Sequence, residues 1–128
     1  MKEFMFFIRK QSDSNEALSP VQHEKFLRSC EKYISDLKRD GKLVSAQPIE
    51  WTGKIISRDG DVLNEFSFEA NDEVIGGYYH IRAASFEEAV KIAKQNPEFK
   101  FNSDTRIEVR SIKMKEETTG FVYPLISN

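Results

Sequence analysis

The sequence is poor in the residues that build special-purpose frameworks. One cysteine, Cys30, forbids an intrachain disulfide. Two histidines set far apart, His23 and His80, give with that single thiol no ligand spacing for a metal, so no metal centre is expected. No apolar run approaches the roughly 20 residues of a membrane span. The run Phe4-Met5-Phe6-Phe7-Ile8 stops at Arg9 with no small-residue cleavage site, which reads as a strand and not as a signal peptide. The expectation is a soluble cytoplasmic protein without a membrane partner. An excess of charge of one sign is lacking too. Nineteen basic against 21 acidic residues leave a net charge of −2, without the basic surplus of a general nucleic-acid binder. There is no glycine-rich phosphate loop, no Gly-x-Ser-x-Gly elbow, no internal repeat and no low-complexity segment. No cofactor is implied.

What is abundant is aromatic. Ten Phe, four Tyr and one Trp among 128 residues supply the core of one domain. Residues 3–9 place Phe4, Phe6 and Ile8 on one side and Met5, Phe7 and Arg9 on the other, so both faces of this strand should be covered. Residues 10–18 form a polar loop. Ser19-Pro20-Val21-Gln22 then opens a helix, with Ser19 as N-cap, Pro20 at N1 and Gln22 closing a capping box. The helix runs to about Asp40, with Gly41 as its left-handed cap. Its apolar stripe is His23, Phe26, Leu27, Cys30, Tyr33, Ile34 and Leu37. Residues 43–49 and 53–58 are strands, Asp59-Gly60 turns a hairpin and Val62–Phe66 returns. Residues 67–73 read as loop, and Gly76-Gly77 precede a strand over Tyr78–Arg82. A second capping sequence, Ser85-Phe86-Glu87-Glu88, starts a helix to about Gln95, ended by Asn96-Pro97. Thr105–Ile112 alternates as the last main strand. The tail, residues 115–128, is apolar enough at Phe121–Ile126 to dock on the domain or on a partner chain.

This order is that of the split βαβ, or ferredoxin-like, α+β fold, an antiparallel sheet with helices on one face. The apolar content of both faces of the first strand requires a cover for the open face, and a second copy of the chain is the simplest one.

Several segments carry a resemblance. Met1-Lys2-Glu3-Phe4-Met5, Leu18-Ser19-Pro20, Gly41-Lys42, Gln47-Pro48, Gly53-Lys54-Ile55-Ile56-Ser57, Glu73–Tyr79, Ser85–Val90 and Ile107–Arg110 together resemble the YCII-related (DGPF-domain) proteins over residues 1–114. The resemblance implies a ferredoxin-like domain that pairs into a dimeric α/β barrel. Some relatives are regarded as enzymes of small ring compounds, and others occur beside sigma factors. Two departures stand out. The Asp-Gly-Pro-Phe signature is replaced by Glu65-Phe66-Ser67-Phe68, and the histidine that many relatives carry on the first helix falls at Phe26 or Cys30.

Candidate chemistry follows from side-chain type and face. His23 and His80 are the candidate acid–base groups. Asp36 is a poor partner for His23 within one chain, because it falls on the polar side of the helix and about 19 Å further along its axis. An intersubunit pair stays open. Strand alternation puts Tyr78, His80 and Arg82 on the open sheet face, together with Arg106, Glu108 and Arg110 of the last strand and Arg9 of the first. The candidate ligand-binding residues are therefore Arg9, Tyr78, His80, Glu108 and Arg110, suited to a small aromatic or carboxylate ligand. The alternative for the same residues is interface ion pairing or solvent contact. Cys30, among apolar helix positions, reads as a small hydrophobe. Three functions fit: a homodimeric small-molecule-binding or structural module, an enzyme acting on a lactone, quinone or haloaromatic ring by histidine acid–base catalysis, and a regulatory partner-binding subunit.

Overall fold

The first strand, β1 (Lys2–Gln11), alternates between half-buried and buried residues from Glu3 onward. In the computed structural model, which describes residues 1–11, 18–69 and 72–124, β1 is central to a four-stranded antiparallel sheet. The remaining elements are α1 (Pro20–Arg39), β2 (Leu43–Pro48), β3 (Lys54–Asp59), β4 (Val62–Ser67), β5 (Glu73–Ala83), α2 (Phe86–Lys94), α3 (Glu98–Phe101) and β6 (Arg106–Ser111). The main sheet runs β2-β5-β1-β6, and β3-β4 form a separate two-stranded ribbon. With that ribbon set aside, the order and directions are those of the ferredoxin-like fold. Most of the expected loop over residues 10–18 lies outside the described residues.

Local sequence explains the helix ends. Ser19 Oγ accepts from Gln22 N at 3.2 Å, and Gln22 Oε1 accepts from Ser19 N at 3.1 Å, a complete capping box. Gly41 adopts φ 70° immediately after the C-cap Asp40, where a side chain would be strained. Ser85 Oγ caps α2 through Glu88 N at 3.1 Å.

The core lies between one sheet face and the helices. Phe4, Phe6 and Ile8 of β1, Tyr79, Ile81 and Ala83 of β5, Tyr33 and Leu37 of α1, and Ala89, Ile92 and Ala93 of α2 form it. Tyr33 and Tyr79 meet edge-on at 5.6 Å, and the Tyr33 hydroxyl donates to the Ile92 carbonyl at 2.7 Å. That bond satisfies the polar end of an otherwise apolar ring.

Three elements differ from the sequence expectation. β5 begins at Glu73, so Gly76-Gly77 lie inside it and residue 73 is not loop. A bulge absorbs them: Ile8 pairs with Gly77 and Arg9 with Ile75, leaving Gly76 as the extra residue. A Cβ on Gly76 would meet Trp51 Nε1 at 2.9 Å, so this position has no room for a side chain. Past Pro97 the chain makes a further short helix, α3, because proline suits a helix start as well as a helix stop. The described part of the tail has local structure of its own. It folds on itself through a Lys115–Val122 bridge and an edge-on Phe121–Tyr123 contact at 5.2 Å, and Phe121 and Val122 stay exposed. Leu125 and Ile126 lie outside the described residues.

Candidate functional site

The sheet face opposite the helices carries the candidate residues. On β1 it presents Glu3, Met5, Phe7 and Arg9, paired with Arg82, His80, Tyr78 and Ile75 of β5. On the other side of β1, Met5, Phe7 and Arg9 pair with Arg110, Glu108 and Arg106 of β6. Alternation thus brings Arg9, Tyr78, His80, Glu108 and Arg110 to one face, as their sequence parity requires.

The bulge adds a residue that parity alone assigns to the wrong side. Counting back from Tyr78 in steps of two puts Val74 on the open face and Glu73 with the core. The extra Gly76 reverses this beyond the bulge. Val74 is 5% exposed and packs inward, whereas Glu73 turns to the face that holds Arg9. There Arg9 Nε donates to Glu73 at 2.7 Å and its Nη1 donates to Glu108 at 2.7 Å. Arg106 holds Glu73 with two further bonds of 2.6 and 2.7 Å. The two arginines hold the Glu73 carboxyl down at about 2, Arg106 contributing most. The same bonds raise the guanidinium of Arg9 above its ordinary value.

A cleft of about 570 Å³ opens beside this network. Met5, Phe7, Tyr78 and Ile75 form its floor, and Phe68, Ile49 and Thr52, from the stems of the β3-β4 ribbon, form its lip. Arg9 and Glu73 supply the polar end. The walls are mostly apolar, as in sites for small rings.

His80 is held elsewhere on the face. Its Nε2 lies 2.6 Å from Glu3 Oε1, and Arg82 Nε lies 3.7 Å from the other Glu3 oxygen. Glu3 belongs to the open face by parity, diagonal to His80 across the β1–β5 pair, but sequence reasoning passed over it. Arg110 is largely exposed, its nearest carboxylate being Glu108 at 3.8 Å. The cations on this face therefore already face carboxylates of the same chain.

His23 does not join them. It stands on the apolar stripe of α1 by periodicity, but it is exposed. The stripe itself is real, with Tyr33 and Leu37 buried near its C-terminal end. Val21 and Leu27 beside it are 64% and 52% exposed, and His23 stands at the rim of a shallow pocket lined also by Lys10, Phe26, Trp51 and Asp104, away from the open-face cleft. Asp36, for its part, is engaged by Lys32 at 2.9 Å and Arg39 at 3.3 Å.

On the helix side a second, smaller cavity of about 210 Å³ lies between α1 and the β2–β5 edge. Phe26, Cys30, Ile34, Ala46, Tyr79 and Glu98 are among its lining residues. Burial, helped by the Glu98 carboxylate, pushes the Cys30 thiol up to about 11, so it is a protonated, weakly nucleophilic group as the sequence implied. Burial also pushes Tyr79 up to about 12 and raises Tyr33, while Asn96 opposes the rise at both rings. Glu98 forms an ion pair with Lys10, whose whole residue is only 8% exposed. Asn102 Nδ2 donates to the same carboxylate oxygen at 2.9 Å. This buried pair was not foreseen, because Lys10 was read as the start of a loop.

An α+β domain with one helix-covered sheet face and one apolar, charge-paired face holding a cleft is the class that this geometry defines. The chain belongs to the YCII-related domain family, whose profile matches residues 4–113. Among solved structures it is similar to the 5-chloro-2-hydroxyhydroquinone dehydrochlorinase from Burkholderia phenoliruptrix AC1100 in complex with 2,5-dihydroxybenzoquinone. That likeness has 18% sequence identity and a TM-score of 0.48, and it covers 85% of this chain and 93% of the other. No curated protein matches the chain in sequence. Among the described residues no helix is long and apolar enough to cross a membrane.

Proposed function

We propose that this chain is a small-molecule-binding protein that works as a homodimer, with the open sheet faces of two copies closing over the cleft. The observation that supports this is the cleft of about 570 Å³, walled by Phe7, Tyr78 and Phe68 and ended by the Arg9–Glu73 pair. A flat ring fits between aromatic side chains, and its polar substituents reach a fixed donor and a fixed acceptor. Arg9 is already spanned by two carboxylates, so a ligand carboxylate would have to displace one of them. The preferred class is therefore a neutral hydroxylated aromatic compound. Thermal-shift titrations with phenols and dihydroxybenzenes, set against benzoates, test this. The expected result is stabilisation by the phenols alone, with affinity at least tenfold lower in Tyr78→Ala. Equal stabilisation by benzoates, or no loss in Tyr78→Ala, overturns the assignment.

A second reading, an enzyme acting on a small ring compound, is supported by His80. A carboxylate 2.6 Å from Nε2 orients the imidazole and fixes its tautomer, a common arrangement for an acid–base histidine. Turnover of a lactone, quinone or haloaromatic panel that is lost in His80→Asn and altered in pH profile by Glu3→Gln would support it. Turnover unaffected by either change would remove both residues from catalysis.

A further inference from the structure

The β3-β4 ribbon is the most apolar exposed element of the molecule. Ile55, Ile56, Val62, Leu63 and Phe66 are each more than half exposed. Cross-strand pairing puts Ile55, Phe66 and Val62 on one face of the ribbon and Ile56 and Leu63 on the other. Apolar residues thus occupy both faces, and neither packs on the buried core. An isolated two-stranded hairpin is marginal in water, and an exposed apolar ribbon with free edges invites association. These side chains call for a cover that one copy does not provide.

We infer that the ribbon is an arm that packs on a second copy of this chain, reaching across the edge of the open sheet face to the partner's β6. The inference rests on the homodimer reading above and extends it. Three features favour a second copy as the occupant. The ribbon springs from Thr52 and Phe68, both at the lip of the open-face cleft, so its surface continues that of the sheet face. Its five apolar side chains in each of two copies expose on the order of 1,000 Å² in total, a large share of the roughly 1,200–2,000 Å² that a specific interface buries. The third feature is polar reach: the tip carries Asp59 and Asp61 beside Arg58, and β6 presents Arg106 and Arg110, with side chains 71% and 68% exposed, which the aspartates would share with Glu73 and Glu108 of the arginines' own chain. A two-fold operator would use this contact twice.

Sedimentation equilibrium of the full chain, the Ile56→Asp/Leu63→Asp variant and Phe7→Asp tests the arm. A lysine-reactive cross-linker on an equal mixture of ¹⁴N- and ¹⁵N-labelled wild-type copies reads contacts at Lys54 without any substitution. The expected results are a wild-type dimer, a dissociation constant raised roughly thirtyfold or more in the ribbon variant, and mixed-isotope cross-links from Lys54. A dimer that is weakened by Phe7→Asp but not by the ribbon variant, with Lys54 linked only within copies, overturns the arm and leaves the dimer reading standing. A monomeric wild type at micromolar concentration overturns both.

Discussion

The two faces of the main sheet are built from the same strands and solve opposite problems. On the helix-covered face, alternate residues of β1 and β5 are nearly all apolar and almost inaccessible, with Phe6 and Ile81 at 0% exposure. A buried ion pair, Lys10–Glu98, sits at the end of this face. On the other face, the intervening residues mix apolar groups (Met5, Phe7, Tyr78) with charged ones (Glu3, Arg9, Glu73, Glu108), and the charges meet one another. A core face excludes charge because desolvation is costly. An interface face tolerates it when each charge is partnered. The open face has the composition of an interface, which is what supports the proposal that a second copy covers it.

The largest test of the contrast is the buried Lys10–Glu98 pair at the end of the core face. Removing one partner of a buried pair strands the other, so Glu98→Ala should cost about 3–5 kcal/mol in urea unfolding, and the Lys10→Met/Glu98→Leu double variant should recover most of that loss. Equal stability of the single and double variants would show that Lys10 reaches water without Glu98. Next come Phe6 and Phe7, adjacent residues on opposite faces. Phe6→Ala should cost about 3–5 kcal/mol at any protein concentration. On the proposed homodimer, Phe7→Ala should cost less in dilute protein and more as concentration rises, because the second copy would complete its burial. If the two substitutions cost the same at every concentration, the faces do not differ in the way described.

How far the sequence reaches follows from the same alternation. Period-two counting places Arg9, Tyr78, His80, Glu108 and Arg110 on one face, and caps such as Ser19 and Gly41 mark helix ends, because these signals are local. Glu73 escaped because one extra residue at Gly76 shifts parity, and a bulge depends on the register of two strands far apart in sequence. Lys10 escaped because a lysine at the end of an apolar run reads as solvent-facing until a distant glutamate is brought beside it. His23 stands on the apolar stripe of the helical wheel yet is exposed, because a wheel gives the direction of a side chain and not what packs beneath it. The tail's exposed aromatic residues were legible as apolar, but where they pack is a tertiary question.

The smallest expected effect concerns the open-face network. Glu73 ionises at about 2 in the folded chain against an ordinary 4.5, so the folded state binds its proton less readily than the unfolded state. The stability this confers is fully present above pH 4.5 and is lost as pH falls from 4.5 towards 2. Glu73→Gln should flatten that part of the pH–stability curve and leave the curve above pH 5 nearly parallel to wild type. Arg106, with its side chain 71% exposed, pairs in a screened setting, so Arg106→Ala should cost little near neutral pH and less still in high salt. Arg9 is only 32% exposed and is held by two carboxylates. Arg9→Ala should therefore flatten the acid loss, but less than Glu73→Gln does because Arg106 still holds the carboxylate, and should disturb the cleft more than either change. Chemical unfolding from pH 2 to 7 in low and high salt separates the three variants. A Glu73→Gln curve that keeps the wild-type slope between pH 2 and 4.5 would mean that the bulge at Gly76 does not bring this carboxylate to the arginines in solution.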